Sequence, residues 1–272
     1  MTMQLSFKIR PAKLGVSIIL LMSLASFKVC YGQEQPITCW VLMNPVTIDG
    51  KWTNANEWAD ASESHMSPQF GSGTAYVRTK HDSEHFYVLV DFISDTLLGP
   101  GDYCTIRLDT KGDGGDAPKE DDYSFVLEWW TTSSSDFWMR RGTGMAWGVL
   151  QSSITGATAS SDCKPSDDPY LTAAHMVYEF NIPLTIFSSS MSGAICVEVQ
   201  DRYPTGITML WPPTYSTDKP SSWGKLTVST VPIPEFGATW LTAAISVSCA
   251  MSLLALNKRR LRREGFPKHL AA

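Results

Sequence analysis

Residues 84–95 read EHFYVLVDFISD, and their alternation decides the fold. Phe86, Val88, Val90 and Phe92 lie on one side of an extended chain, because successive side chains of a strand point to opposite faces. The same period of two returns in YCTIRLD (103–109), where Cys104, Ile106 and Leu108 oppose Tyr103, Thr105 and Arg107. In YSFVLEW (123–129), Tyr123, Phe125, Leu127 and Trp129 oppose Ser124 and Glu128. MVYEFNI (176–182) sets Met176, Tyr178, Phe180 and Ile182 against Glu179 and Asn181, and AICVEVQ (194–200) sets Ile195, Val197 and Val199 against Cys196, Glu198 and Gln200. No helical apolar period competes, and Gly, Ser, Asp and Pro separate the segments. The pattern predicts one all-β domain over 36–230, a two-sheet antiparallel β-sandwich of jelly-roll or Ig-like type.

Charge divides the chain differently. Residues 33–236 carry 26 acidic and 12 basic side chains, whereas the flanks carry 10 basic and one acidic. A middle segment so acidic is a poor partner for nucleic acid, which is held by Lys and Arg on its phosphates. At the N-terminus Lys8, Arg10 and Lys13 precede an uncharged run over 14–27, a pattern that predicts a secretory signal peptide over 1–32. At the C-terminus the motif VPIPEFG (231–237) leads into an uncharged stretch over 238–256 and then NKRRLRR (257–263). That stretch is long enough for a transmembrane helix, and the basic tail over 257–272 is expected on the cytoplasmic side. Pro234-Glu235-Phe236-Gly237, the span and the basic stop together resemble archaeal PEF-CTERM sorting tails, which implies archaeosortase processing. The expected location is the cell surface, with the exported domain anchored in the membrane by its C-terminal segment.

The middle segment also resembles a family. IDGKW (48–52), EWADA (57–61), EHFYVLVDFISD (84–95), IRLDTKGDGG (106–115), DDYSF (121–125), YEFNIPL (178–184) and Trp211-Pro212 with PSSWGKL (220–226) appear in that order. Together they resemble the family 9 carbohydrate-binding module and the wider DOMON-like group, across nearly all of 45–228. The resemblance implies a β-sandwich in an exported, ligand-binding setting; members bind sugars and relatives bind haem. It also implies an aromatic clamp, yet residues 98–101 (LGPG) hold no aromatic, and PTYSTDK (213–219) offers Tyr215 alone. Val126 or a neighbour stands where the family places a sugar-holding Arg.

Another platform is available. Trp129, Trp130, Trp138 and Trp147 cluster near Arg140 and Arg141. Strand parity sends Trp129 to the core and Trp130 to the polar face. Trp130, Trp138, Arg140 and Tyr215 are therefore the candidate ligand-binding residues, since indole faces stack on sugar C–H groups and Arg holds hydroxyls. Trp52, Trp58, Trp211 and Trp223 belong to the framework motifs. In DTKGDGGDAPKE (109–120), Asp109, Asp113 and Glu120 have the spacing of a calcium loop, with Gly114 at the turn. Lys111 replaces one carboxylate and the flanks are strands, so Ca2+ is expected in a sandwich-type site rather than an EF-hand. Haem is not expected: Met139, Met145, Met209 and His175 fall in no diagnostic motif. HExxH, GxSxG and GxxxxGK are absent from the chain, and a non-enzymatic protein is expected. Cys39, Cys104, Cys163 and Cys196, an even number in an exported domain, suggest disulfides, although Cys104 projects with the apolar row.

Three functions follow. The first is surface binding of a polysaccharide or cell-surface glycan. The second is a structural or adhesive envelope role without a small ligand, and the third is haem-based electron transfer. The topology is directly testable: protease added to intact cells should digest residues 33–236 and leave 258–263 protected, whereas a domain that resists until lysis contradicts it.

Overall fold

A computed structural model describes residues 36–151, 156–187 and 192–232. The expected signal peptide, membrane span and basic tail, and residues 233–237 of the sorting motif, lie outside the described residues. The regular secondary structure of the described residues is strand, apart from two short 3-10 turns.

One layer contains β6 (Tyr103–Asp109), β7 (Asp122–Thr131), β8 (Ser134–Arg141) and β11 (Ser192–Gln200), antiparallel in the order β8-β7-β6-β11. The far half of β11 pairs with β12 (Thr208–Trp211), which carries β3 (Ser67–Phe70); its near half pairs with β13 (Gly224–Pro232). The other layer runs β4 (Tyr76–His81), β5 (His85–Phe92), β10 (His175–Pro183), β9 (Thr158–Lys164), with β2 (Ser62–His65) also on β4. β1 (Ile37–Val41) joins the layers: its start lies parallel to β13, and Trp40 and Val41 lie parallel to β4. The expected antiparallel sandwich is thus one hydrogen-bonded sheet folded into two layers, with a parallel seam at β1. A strand that no tight turn joins to its neighbours is free to run either way.

The apolar rows read from the sequence face one core. Phe86, Val88, Val90, Phe92, Ile106, Leu108, Phe125, Leu127, Tyr178, Phe180, Ile195, Val197 and Val199 are all buried in it. The opposite side of β5 is buried as well, which alternation does not predict. There Tyr87 and Leu89, with Val177 of β10, pack beneath Trp52, Trp58 and Ala61 of the segment after β1. Trp52 and Trp58 of the framework motifs are a cover for the second face, whereas Trp211 belongs to the main core.

Charged groups secure that cover. Glu179 accepts the amides of Asp49 (2.9 Å) and Gly50 (2.8 Å) and the Trp58 indole N–H (3.0 Å). Gly50 sits at φ 82°, and a Cβ there would lie 2.5 Å from the Ser161 carbonyl carbon, so IDGKW needs its glycine. Buried Lys80 donates to Asp60 (2.8 Å) and to the carbonyls of Asn44 and Glu57. Arg78 meets Asp91 at 3.1 Å with its guanidinium 4.8 Å from the Trp52 ring, and His175 Nε2 lies 2.8 Å from Asp91.

The disulfide expectation is corrected. Cys39, Cys104, Cys163 and Cys196 are all free thiols. Cys39 and Cys104 fill the core as small apolar groups, and burial pushes both thiols far up.

Two outcomes test the cover. Glu179→Ala strands three buried donors and should cost about 3 kcal/mol or more in denaturant unfolding, whereas Glu179→Gln, which keeps an acceptor, should cost less. Burial lowers the His175 imidazole, but Asp91 and Asp168 outweigh it and hold the ring above its ordinary value. Protonation therefore favours the fold: the contribution is complete below the unfolded value of about 6.5 and is lost as pH rises through the raised one. Unfolding free energy followed across that window should show this loss, and His175→Asn should flatten it.

Candidate functional site

The outer face of the β8-β7-β6-β11 layer is open. The strand register aligns its side chains in rows. Arg140, Ser124, Arg107 and Cys196 form one row across β8, β7, β6 and β11; Trp138, Val126, Thr105 and Glu198 form the next; Asp136, Glu128, Tyr103 and Gln200 form the third. Ser124 in the first row and Val126 and Thr105 in the second are small, and larger side chains flank them. The consequence is a groove of about 340 Å³, floored by Ser124, Val126 and Thr105, with Trp138 and Arg140 on one wall and Tyr103 and Arg107 on the other. Trp147, Thr217 and Asp218 also line it.

The two walls differ electrically. On the β6–β11 side Glu198 accepts from Tyr103 Oη, from Tyr215 Oη (2.9 Å) and from Arg107 (3.2 Å). Burial first, and then Glu198, raises Tyr103; burial and the Cys196 thiol chiefly raise Tyr215. Both phenols therefore stay protonated as donors, and Arg107 is neutralised. On the β8 side the Arg140 guanidinium lies 5.2 Å from the centre of the Trp138 ring. Its buried Nε has no hydrogen-bond partner among the described residues. Trp147 stacks parallel on Trp223, with ring centres 6.2 Å apart, which fixes the indole at the groove edge. Gly224 permits the neighbouring packing: a Cβ there would fall 2.4 Å from the Trp211 ring.

Of the residues expected from the sequence, Trp138 and Arg140 line the groove, and Tyr215 supports its far wall through Glu198 and Arg107. Trp130 is 56 % exposed but lies at the bulge between Trp129 and Thr131, outside the groove lining. Val126, where the resemblance implied an Arg, is floor. Arg107, Glu198 and Tyr103 escaped the sequence reading as site residues, and Trp147 was counted in the tryptophan cluster without being singled out. Parity placed the first three on the polar face, but nothing in one sequence says which strands are neighbours.

The calcium loop is placed differently from its expectation. Asp109 and Asp113 gather with Asp121, and Glu120 is not among the converging carboxylates. Asp109 accepts the amides of Lys111, Gly112 and Gly114, while Lys119 pairs with Asp113 (2.7 Å) and Lys111 with Asp121 (3.5 Å). Strands on either side turn the chain so that Asp121, just before β7, faces Asp109. Of the residues considered for haem, Met139 and Met209 are core, Met145 is exposed, and His175 is held by Asp91 and the Ala173 carbonyl.

No protein-family model matches the sequence, and no curated protein does. Solved structures do. A family 9 carbohydrate-binding module from Caldicellulosiruptor kristjanssonii in complex with cellotriose aligns with TM-score 0.51 at 13 % identity, covering 74 % of this chain and 97 % of that one. A family 9 carbohydrate-binding module from the same organism in complex with glucose aligns with TM-score 0.49 at 15 % identity, covering 71 % and 95 %. At such identity the likeness is one of fold: the chain has the β-sandwich of a family 9 carbohydrate-binding module. Fold alone does not carry function.

The charge assignment of the far wall is testable by unfolding. Glu198→Ala removes the common acceptor of Tyr103, Tyr215 and Arg107 and should destabilise by about 2–4 kcal/mol, with Arg107 left half-buried and unpaired. A loss within about 0.5 kcal/mol would show that the wall is not held this way.

Proposed function

We propose that this chain is a non-enzymatic, surface-displayed binding protein for a polysaccharide or cell-surface glycan, and that the groove over β6, β7 and β8 is its site. The supporting observation is the groove itself: a half-buried Trp138 beside an Arg140 that has no ion-pair partner among the described residues, over a floor of small side chains. An indole face takes sugar C–H groups, and a guanidinium with spare donors takes hydroxyls or a ring carboxylate. Trp147 offers a second apolar face at the groove edge, and Asp218 and Glu128 offer acceptors for hydroxyls. In this reading the acidic domain stands outside the cell, the C-terminal span anchors it, and the PEF-type tail is the substrate of an archaeosortase.

A glycan array with the purified protein tests the reading, with variants assigning the site. Trp138→Ala should lose at least tenfold in affinity, about 1.4 kcal/mol, and destabilise far less than Trp58→Ala, a core change costing about 3–5 kcal/mol. Arg140→Gln should weaken binding without unfolding the protein. A ligand confined to the groove leaves Trp130→Ala unaffected, whereas a longer chain running past the bulge loses affinity there too. Glycan binding indifferent to both Trp138→Ala and Arg140→Gln would remove the groove as the site.

A further inference from the structure

We propose that the groove selects an acidic sugar, a ring bearing one carboxylate, and that Arg140 is the residue that reads the charge; this rests on the groove being the glycan site. The domain is acidic, with 26 acidic and 12 basic side chains over residues 33–236. Cations sunk into it find carboxylates: Arg78, Lys80 and Arg107 each have one within 3.2 Å. Arg140 has none among the described residues. Its guanidinium rests 5.2 Å from the centre of the Trp138 ring, and its buried Nε lacks a hydrogen-bond partner among the same residues. A guanidinium cannot relieve this by losing its proton, because it stays charged in proteins. The half-buried charge is left for a group from outside the chain.

The strand register sorts the groove by charge. Arg140, Ser124 and Arg107 stand side by side on β8, β7 and β6, and Glu198 already neutralises Arg107. Two residues along, Trp138, Val126 and Thr105 form an uncharged middle row. Two further along, Asp136 and Glu128 bring acid. Rows two residues apart on a strand are separated by about 7 Å. A ring stacked on Trp138 over the middle row therefore presents one edge to Arg140 and the opposite edge to Glu128. The second edge suits hydroxyls, which donate to carboxylates. The first edge meets a cation that nothing neutralises. Adjacent strands lie about 4.8 Å apart, so the short Ser124 leaves about 10 Å between the backbones of Arg140 and Arg107. A substituent of the ring has room to enter there.

The chemistry of that substituent follows. A neutral sugar offers Arg140 hydroxyls, which leave its charge uncompensated. A uronic acid offers a carboxylate. Its two coplanar oxygens match the planar guanidinium fork, and charge-assisted bonds are about twice as strong as neutral ones. The acidic side limits the charge of the ligand. One spare cation balances one negative group per ring, whereas further anionic groups would meet Glu128 and Asp218 in the lining and Asp136 in the row of Glu128. Densely sulfated chains are thereby disfavoured, and a glycan with one carboxylate on the recognised ring fits.

The test titrates the full-length protein in detergent with oligogalacturonate and oligoglucuronate, each beside its carboxyl-reduced form, which keeps the same ring and linkages. At least one acidic chain should bind about tenfold or more tighter than its reduced twin, and that preference should shrink as sodium chloride is raised, because salt screens the pair. Arg140→Gln should bring the two forms within about twofold of each other, and Arg140→Lys, which keeps the charge but not the fork, should fall between. Arg141→Gln, outside the groove lining, should keep the wild-type preference. Acidic and reduced chains bound equally well would overturn charge selection while leaving the groove a glycan site, and so would a preference that survives Arg140→Gln in full. Dextran sulfate bound as tightly as the uronic acid chains would overturn the choice of carboxylate. Binding to neutral glycans alone would sink the proposal, and binding to no glycan of either kind would sink the glycan reading with it.

Discussion

The buried carboxylate of Glu179 is the constraint on which the second layer of the protein depends. It stands on the outer face of β10, where a sandwich strand ordinarily meets water, and it is fully buried there. Two backbone amides and an indole N–H converge on it from the segment that follows β1. That segment must therefore lie across β5 and β10, and once there it shields Tyr87, Leu89 and Val177 beneath Trp52 and Trp58. Arg78 and Lys80 are drawn into the same dry layer, because Asp91 and Asp60 are already in it. A charge buried without partners costs several kcal/mol. The cover and its charges consequently form and fail together.

Covering one outer face leaves the other available. On the β8-β7-β6-β11 face the described loops bring Trp147, Tyr215, Thr217 and Asp218 to the sides, and Ser124, Val126 and Thr105 lie between larger side chains. A flat sheet becomes a groove through side-chain size and these flanking loops. One wall is consumed internally, with Arg107 satisfied by Glu198 and Tyr215. The other keeps its donors, since Arg140 rests on Trp138 and its Nε has no partner among the described residues. Recognition capacity thus sits on β8, and stiffness sits on β6 and β11.

The excess of acid over base in the domain has several physical outlets. Some carboxylates pair with buried cations, as Asp91 and Asp60 do. Some take the place of secondary structure and gather loose amides, as Glu179 and Asp109 do. Asp95, Asp102 and Asp201 do neither in full, and they cluster at loops where the backbone turns. These roles cannot be told apart in the sequence, where each is simply an Asp or Glu beside a strand.

The sequence by itself determined the strand faces. Alternation in residues 86–92, 104–108, 123–129, 176–182 and 195–199 separates the core row from its opposite in every case, because the period of a strand is local and steric. It also marked Trp138 and Arg140 as partners, two residues apart on one strand and hence on one face. Only the tertiary structure decided what each opposite face would meet. Tyr87 and Leu89 became core because a distant loop lies on them, while Thr105 and Ser124 became a groove floor because larger side chains and the loop residues Trp147, Thr217 and Asp218 stand around them. Arg107 joined the site because register sets β6 between β7 and β11. Asp121 rather than Glu120 faces Asp109 because a strand, not a helix, follows the loop. Neighbourhood across strands depends on contacts far apart in the chain, and no local pattern encodes it.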